Sequence, residues 1–183
     1  MLRWLFRKKL DDFDREYGYD SSYVREIVDT DLDAAWRFSK VMGLTTYRKG
    51  VPAAPLCAAG LASTLAEDCG PCTQLGVTMA EREGVPPAVI RAILDGDTHA
   101  MPEDVSLAYR FAQAVLRHDA DADSLREQVV SHWGKKGLIS LGYAITMGRF
   151  FPTLKYALGH ARACTRIKVG NEEVRVHEYL KVV

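Results

Sequence analysis

Between residues 21 and 42, Tyr23, Ile27, Ala34, Ala35, Phe38 and Met42 recur at helical spacing with charges between them, which predicts a helix. Asp20, Ser21 and Ser22 offer N-caps for it, and Gly43 a stop. Residues 47–52 read as a connection. From Pro55 to Ala66 the chain is almost all small or apolar, with Leu56, Cys57, Gly60, Leu61 and Leu65 among alanines. Such a helix lets neighbours approach closely, so it is expected at the centre of the fold. A second helix follows the string Cys69-Gly70-Pro71-Cys72 and runs to about Glu83. Gly84-Val85-Pro86-Pro87 ends that helix and starts a short one toward Leu94. A further helix is expected up to about Arg117, with Val105, Ala108, Phe111, Ala112 and Val115 as its apolar face. Two more segments follow, one to about Trp133 and one from about Gly137 to Leu158, where Pro152 is expected to kink or divide the helix. Around residues 165–177 the pattern changes to alternation across Gly170-Asn171, a β-hairpin signal. Because a lone hairpin is marginal, it is expected to cover the body or add to a neighbouring subunit. The prediction is one all-α domain over 1–183, with N-terminal helices in 1–50, a core in 52–96 and a small C-terminal β-hairpin.

Charge narrows the partners. The 24 basic and 24 acidic residues balance, so no whole-molecule field draws the chain to nucleic acid, and no nucleic-acid partner is expected. No apolar run reaches the 18 residues of a spanning helix. The first ten residues carry too short an apolar run for a signal peptide and lack a small-residue cleavage site. Trp4, Leu5 and Phe6 beside Arg7, Lys8 and Lys9 have the composition of a helix lying on a lipid surface. Packing of that helix on the body or on a partner subunit is the expectation adopted over membrane contact. Four cysteines without an export signal indicate a reducing compartment, with the cytoplasm as the default. In that setting, close cysteines serve catalysis or metal binding more often than structure.

Cys69 and Cys72 are therefore the candidate chemistry. If Asp68 is the N-cap, Cys69 takes the first helical position and Pro71 stays in the first turn, where its missing N–H costs nothing. The two sulfurs then share one face at disulfide distance, beside unpaired amides that favour a thiolate. Glu67 and Asp68 oppose that effect by like charge. Cys72 opens an apolar stripe through Leu75, Gly76, Met79 and Ala80, so Cys69 is expected to be the more exposed thiol. Gly76 is expected to leave space beside the Cys72 sulfur, or simply to allow close packing.

At these residues the chain resembles the alkylhydroperoxidase D-like branch of the carboxymuconolactone decarboxylase superfamily. The likeness spans residues 56–94: the small-residue helix, Asp68-Cys69-Gly70-Pro71-Cys72, the helix ending Glu81-Arg82-Glu83-Gly84-Val85, and Ala88 to Leu94. It implies an all-helical fold, a redox-active cysteine pair, a homo-oligomer (trimer or hexamer), and a hydroperoxide or disulfide substrate. It also implies a lipoyl- or thioredoxin-type reductant; no cofactor is expected. In active hydroperoxidases of this family, a histidine four residues after the second cysteine and a glutamate twelve before the first relay protons. Here those positions hold Gly76 and Cys57. Loss of a general base costs roughly 10²–10⁴-fold in rate, whereas thiol–disulfide exchange does not need that relay. Glu67 is the candidate replacement acid. Cys57 is a candidate third thiol if the two helices fold back on each other, and a small buried apolar residue otherwise.

Three other readings compete. Cys-Gly-Pro-Cys is also the thioredoxin string, but that fold needs strands around the helix, and an Ala-rich helix precedes the pair here. A structural zinc site would join Cys69 and Cys72 to His160 and Cys164. A non-catalytic, oligomeric redox sensor would use the disulfide as a switch. His99, His118, His132 and His177 show no metal or triad spacing and read as surface residues.

Overall fold

A computed structural model describes residues 2–161 and 167–174, and it is all-α with a small antiparallel hairpin. The helices are α1 (Leu2–Tyr17), α2 (Ser22–Thr30), α3 (Leu32–Val41), α4 (Ala53–Ala66), α5 (Gly70–Arg82), α6 (Pro87–Asp95), α7 (Glu103–Arg117) and α8 (Ala122–Ala157). A 3₁₀ turn over Met42–Thr46 joins α3 to the connection before α4.

Most of these elements fall where the apolar periodicity places them, with three differences. The helix expected over 21–42 is two helices. Asp31 takes an extended conformation (φ −147°, ψ 120°), and its side chain accepts from the Asp33 N–H at 2.8 Å, capping α3. Pro152 does not divide its helix: α8 continues through it, and the proline is buried. The interruption lies at Gly134 instead, at φ 69° and ψ 180°, between the two segments the pattern separates.

The core forms around α4, nine of whose residues are buried, from Pro55 to Leu65. Its small side chains bring α7 and α8 in close. On α8, a Cβ at Gly148 would lie 2.6 Å from Ser63 Cβ and 2.9 Å from the Gly60 carbonyl oxygen, so only glycine fits that crossing. Burial on this scale is the main favourable contribution to folding. Ile90, Ile93, Val105, Tyr109, Val129 and Leu141 complete it.

The hairpin pairs β1 (Ile167–Val169) with β2 (Glu172–Val174), with Lys168 opposite Glu173. It covers the body: Ile167 and Val169 are fully buried. Gln74 of α5 grips the Lys168 backbone from both sides, donating to its carbonyl at 3.0 Å and accepting from its N–H at 2.8 Å. Arg91 of α6 pairs with Glu172 at 2.7 Å. The outer parts of the expected 165–177 hairpin lie outside the described residues.

Candidate functional site, a dithiol at the start of α5

The reversal between α4 and α5 sets the thiol pair. Asp68 sits in the left-handed region (φ 49°), a conformation that aspartate tolerates better than most residues. The Asp68 N–H bonds the Leu65 carbonyl at 3.0 Å and the Cys69 N–H bonds the Thr64 carbonyl at 3.3 Å. That is the Schellman pattern, with Asp68 where glycine usually stands. The N-cap of α5 is therefore Cys69 and not Asp68, one residue later than the sequence suggests. The Cys69 carbonyl accepts from the Thr73 N–H at 2.9 Å and the Thr73 hydroxyl at 3.0 Å. Tyr156 of α8 donates to the Asp68 carbonyl at 3.1 Å. Backbone on both sides of the thiol is thus fixed.

The two sulfurs lie 2.6 Å apart, inside van der Waals contact and close to disulfide distance, so a proton on one is shared with the other. Both are buried, Cys69 at 0% exposure and Cys72 at 6%, so the expectation of an exposed Cys69 is corrected. Their surroundings are nevertheless polar. Lys155 of α8, itself 2% exposed, holds its ammonium 4.4 Å from the Tyr19 ring centre and 5.1 Å from that of Tyr23. The faces of two aromatic rings stabilise that buried cation, and its charge favours a thiolate at both cysteines.

These neighbours act unequally on the two thiols. The hydrogen bond from Cys72 brings Cys69 down from 9.0 to about 7, against the opposing effect of burial. The Cys72 backbone amide and Lys155 add to the lowering, and Asp68 opposes it. Cys72 moves the other way, raised by its bond to Cys69 and by burial. The pair therefore holds one proton near neutrality: Cys69 is the thiolate and Cys72 the thiol that donates to it. Burial, then Tyr23 and Cys72, pushes the Tyr19 phenol upward; burial, then Cys72, does the same for Tyr23. Both phenols stay protonated beside the thiolate.

A cavity of about 180 Å³ adjoins the pair, lined by Tyr17, Gly18, Tyr19, Asp20, Pro71, Gln74 and Leu75. Tyr19 and Pro71 belong to both cavity and thiol site.

The remaining candidates go elsewhere. Glu67 accepts from Arg149 Nε at 2.6 Å and from the Thr153 hydroxyl at 3.3 Å, so its carboxylate is engaged by α8. The two helices do fold back on each other, yet Cys57 lies nine residues from the end of α4, about 13 Å of helix. Its neighbours are Glu83 and Arg48, which pair with each other at the far end of α5. Burial, with Glu83 adding, pushes Cys57 up to about 12, and half-buried Cys57 stands apart from the pair. Gly76 leaves no space beside the sulfur: a Cβ there would lie 2.9 Å from Leu61 Cδ2, so the residue serves close packing.

His160 bonds the Ser22 hydroxyl through Nδ1 at 3.1 Å and Glu26 through Nε2 at 2.6 Å. Cys164 lies outside the described residues, as does His177. Among the described residues no three metal-ligating side chains gather. His99, His118 and His132 are exposed.

Lys155 and Tyr19 went unread in the sequence, and Tyr23 was read only as an apolar helix position. A signal existed for Lys155: Leu141, Ile145, Gly148, Pro152 and Lys155 follow one another at spacings of four, three, four and three, which puts a lysine on a buried stripe. Nothing in local pattern marks Tyr19.

Comparison with protein families, with characterised proteins and with solved structures finds no match for this chain. Fold and site define an all-α protein with a polarised dithiol at a helix start. Among the described residues, no helix is long and apolar enough to cross a membrane.

Proposed function

We propose that the protein is a thiol–disulfide oxidoreductase in which Cys69 attacks and Cys72 resolves. The observation that carries this reading is the sulfur pair at 2.6 Å in the first turn of α5, with Cys69 poised near 7 beside buried Lys155. The Cys69 thiolate displaces one thiolate from a substrate disulfide, forming a mixed disulfide. Cys72 then gives its proton to the first departing thiolate, attacks the Cys69 sulfur and expels the second thiolate, which takes a proton from solvent. Two electrons pass from the dithiol to the substrate, and the Cys69–Cys72 disulfide remains.

Resemblance to the alkylhydroperoxidase D-like branch supports a lipoyl- or thioredoxin-type dithiol as reductant and a homo-oligomeric assembly, and the cysteine usage supports a cytoplasmic setting. A hydroperoxide substrate is the less favoured half of this reading. The family's relay positions hold Gly76 and Cys57, and Lys155 supplies charge to the site without a base. A second reading, a redox switch without turnover, is favoured by the complete burial of Cys69.

Wild type, Cys69→Ser and Cys72→Ser would be treated with a small disulfide and then with peroxide, the products mapped by mass spectrometry and turnover followed with a dithiol reductant. The expected outcome is an internal 69–72 disulfide in wild type, a trapped mixed disulfide at Cys69 in Cys72→Ser, and no adduct in Cys69→Ser. Stoichiometric oxidation without turnover would favour the switch. Indistinguishable behaviour of all three proteins would reject both readings.

A further inference from the structure

The first two turns of α1 form an exposed surface distinct from the thiol site. α1 buries none of its residues. It lies on the body along Phe6, Leu10, Phe13 and Tyr17, all partly covered. Ion pairs with Asp11, Asp14 and Glu16 secure that seating: Arg25 reaches Asp11 and Asp14, each at 2.8 Å, and Arg82 reaches Glu16 at 2.6 Å. The basic first half is left projecting. Leu2, Trp4 and Leu5 are 47%, 61% and 45% exposed, and Trp4 is the most exposed of the large apolar side chains. Arg3, Lys8 and Lys9 lie among them, and the Lys8 ammonium sits 5.5 Å from the Trp4 ring centre. Among the described residues none of these three cations forms an ion pair, whereas Arg7 is held by Asp29 at 2.7 Å.

The geometry points to this tip as a docking surface for an anionic lipid bilayer. A tryptophan and two leucines flanked by cations match the interfacial layer of a membrane, where an indole ring and basic side chains lie at headgroup depth. A second copy of the chain fits less well. Protein interfaces are depleted in lysine, and the eight residues of the tip, 2–9, fall far short of the roughly 20–30 residues a side of a standard interface. Acidic side chains from Asp11 onward limit contact to the tip, so docking is peripheral, reversible and salt-sensitive.

The test is co-sedimentation of the full chain with phosphatidylcholine vesicles and with phosphatidylcholine–phosphatidylglycerol mixtures, at low and raised salt. Wild type would be compared with Trp4→Ala and with the Lys8→Glu/Lys9→Glu double variant, and circular dichroism would verify that each stays folded. Partitioning to the anionic vesicles is expected to exceed that to the neutral ones by roughly tenfold or more. Raised salt and either variant should each reduce it several-fold. Equal binding to both vesicle types, no binding to either, or an oligomer that dissociates on Trp4→Ala would overturn the proposal, the last by assigning the tip to a protein contact.

Discussion

Cys69 closes the Schellman turn of α4 through its N–H and caps α5 through its carbonyl, while its sulfur lies 2.6 Å from that of Cys72. The position of the pair thus depends on backbone, while its polarity depends in part on distant side chains. Lys155 is the chief of these. Buried lysine is costly unless its charge is stabilised, and here the Tyr19 and Tyr23 rings do so. Lys155→Met keeps a long apolar stem and removes the charge. Without that cation, Cys69 rises only part of the way from about 7, because the Cys72 hydrogen bond that lowers it most remains, and iodoacetamide alkylation at pH 7 should slow by about two- to fivefold. The rate-against-pH curve should move to higher pH, with the plateau rate at high pH retained. An unchanged curve would remove Lys155 from the site.

At the scale of elements, α4 and α8 cross where both carry small residues, and the cost of enlarging one is predictable. Gly148→Ala would bring a Cβ to 2.6 Å from Ser63 Cβ and 2.9 Å from the Gly60 oxygen. Neither group is the end of a flexible side chain, so the helices must separate. Overpacking of this kind costs about 1–3 kcal/mol, which for a chain of this size lowers the thermal midpoint by roughly 2–12 °C. Thermal unfolding of the variant at pH 7.5 checks it, and an unchanged midpoint would mean the crossing is looser than described. The same elements show what a sequence can reveal. Helix α7 was legible because burial of one face leaves a 3.6-residue signature, α4 because its residues are almost all small or apolar, α5 and α6 from the Gly and Pro residues that bound them, and the hairpin because Gly170-Asn171 is a local turn signal. The split of α2 from α3 was not, since Asp31 reads equally well as a solvated helix residue. The thiol pair was legible as a local motif. Its N-cap was misplaced because aspartate is a favoured N-cap, and only the fold of α4 onto α5 puts Asp68 in the left-handed region. Tyr19, Tyr23 and Lys155 come from the α1–α2 connection, α2 and α8, and no local pattern states that such distant segments converge.

Across the whole molecule, the buried acids make stability depend on pH in two opposed ways. Cys57, Cys72, Tyr19 and Tyr23 all hold their protons more tightly when folded than when unfolded. Their contribution is complete below the unfolded values, 9.0 for the thiols and 10.0 for the phenols, and is lost as pH rises above them. For Cys57 that loss runs from 9.0 to about 12. Cys69 has the reverse sign. Its folded value is depressed from 9.0 to about 7, so it contributes fully above 9.0 and loses that contribution as pH falls through 7. The reduced chain should therefore reach its highest thermal midpoint between about pH 8 and 9, falling on both sides. Oxidation to the 69–72 disulfide removes Cys69 and Cys72 as titrating groups, so the acid limb attributable to Cys69 should flatten while an alkaline limb from Cys57 and the tyrosines persists. Cys57→Ala should lessen the alkaline limb in both redox states and leave the acid limb alone. Differential scanning fluorimetry from pH 6 to pH 11, with and without a dithiol, reads all of these. An acid limb of equal slope in the reduced and oxidised proteins would show that Cys69 is not the group poised near neutrality, and the assignment of nucleophile would pass to Cys72.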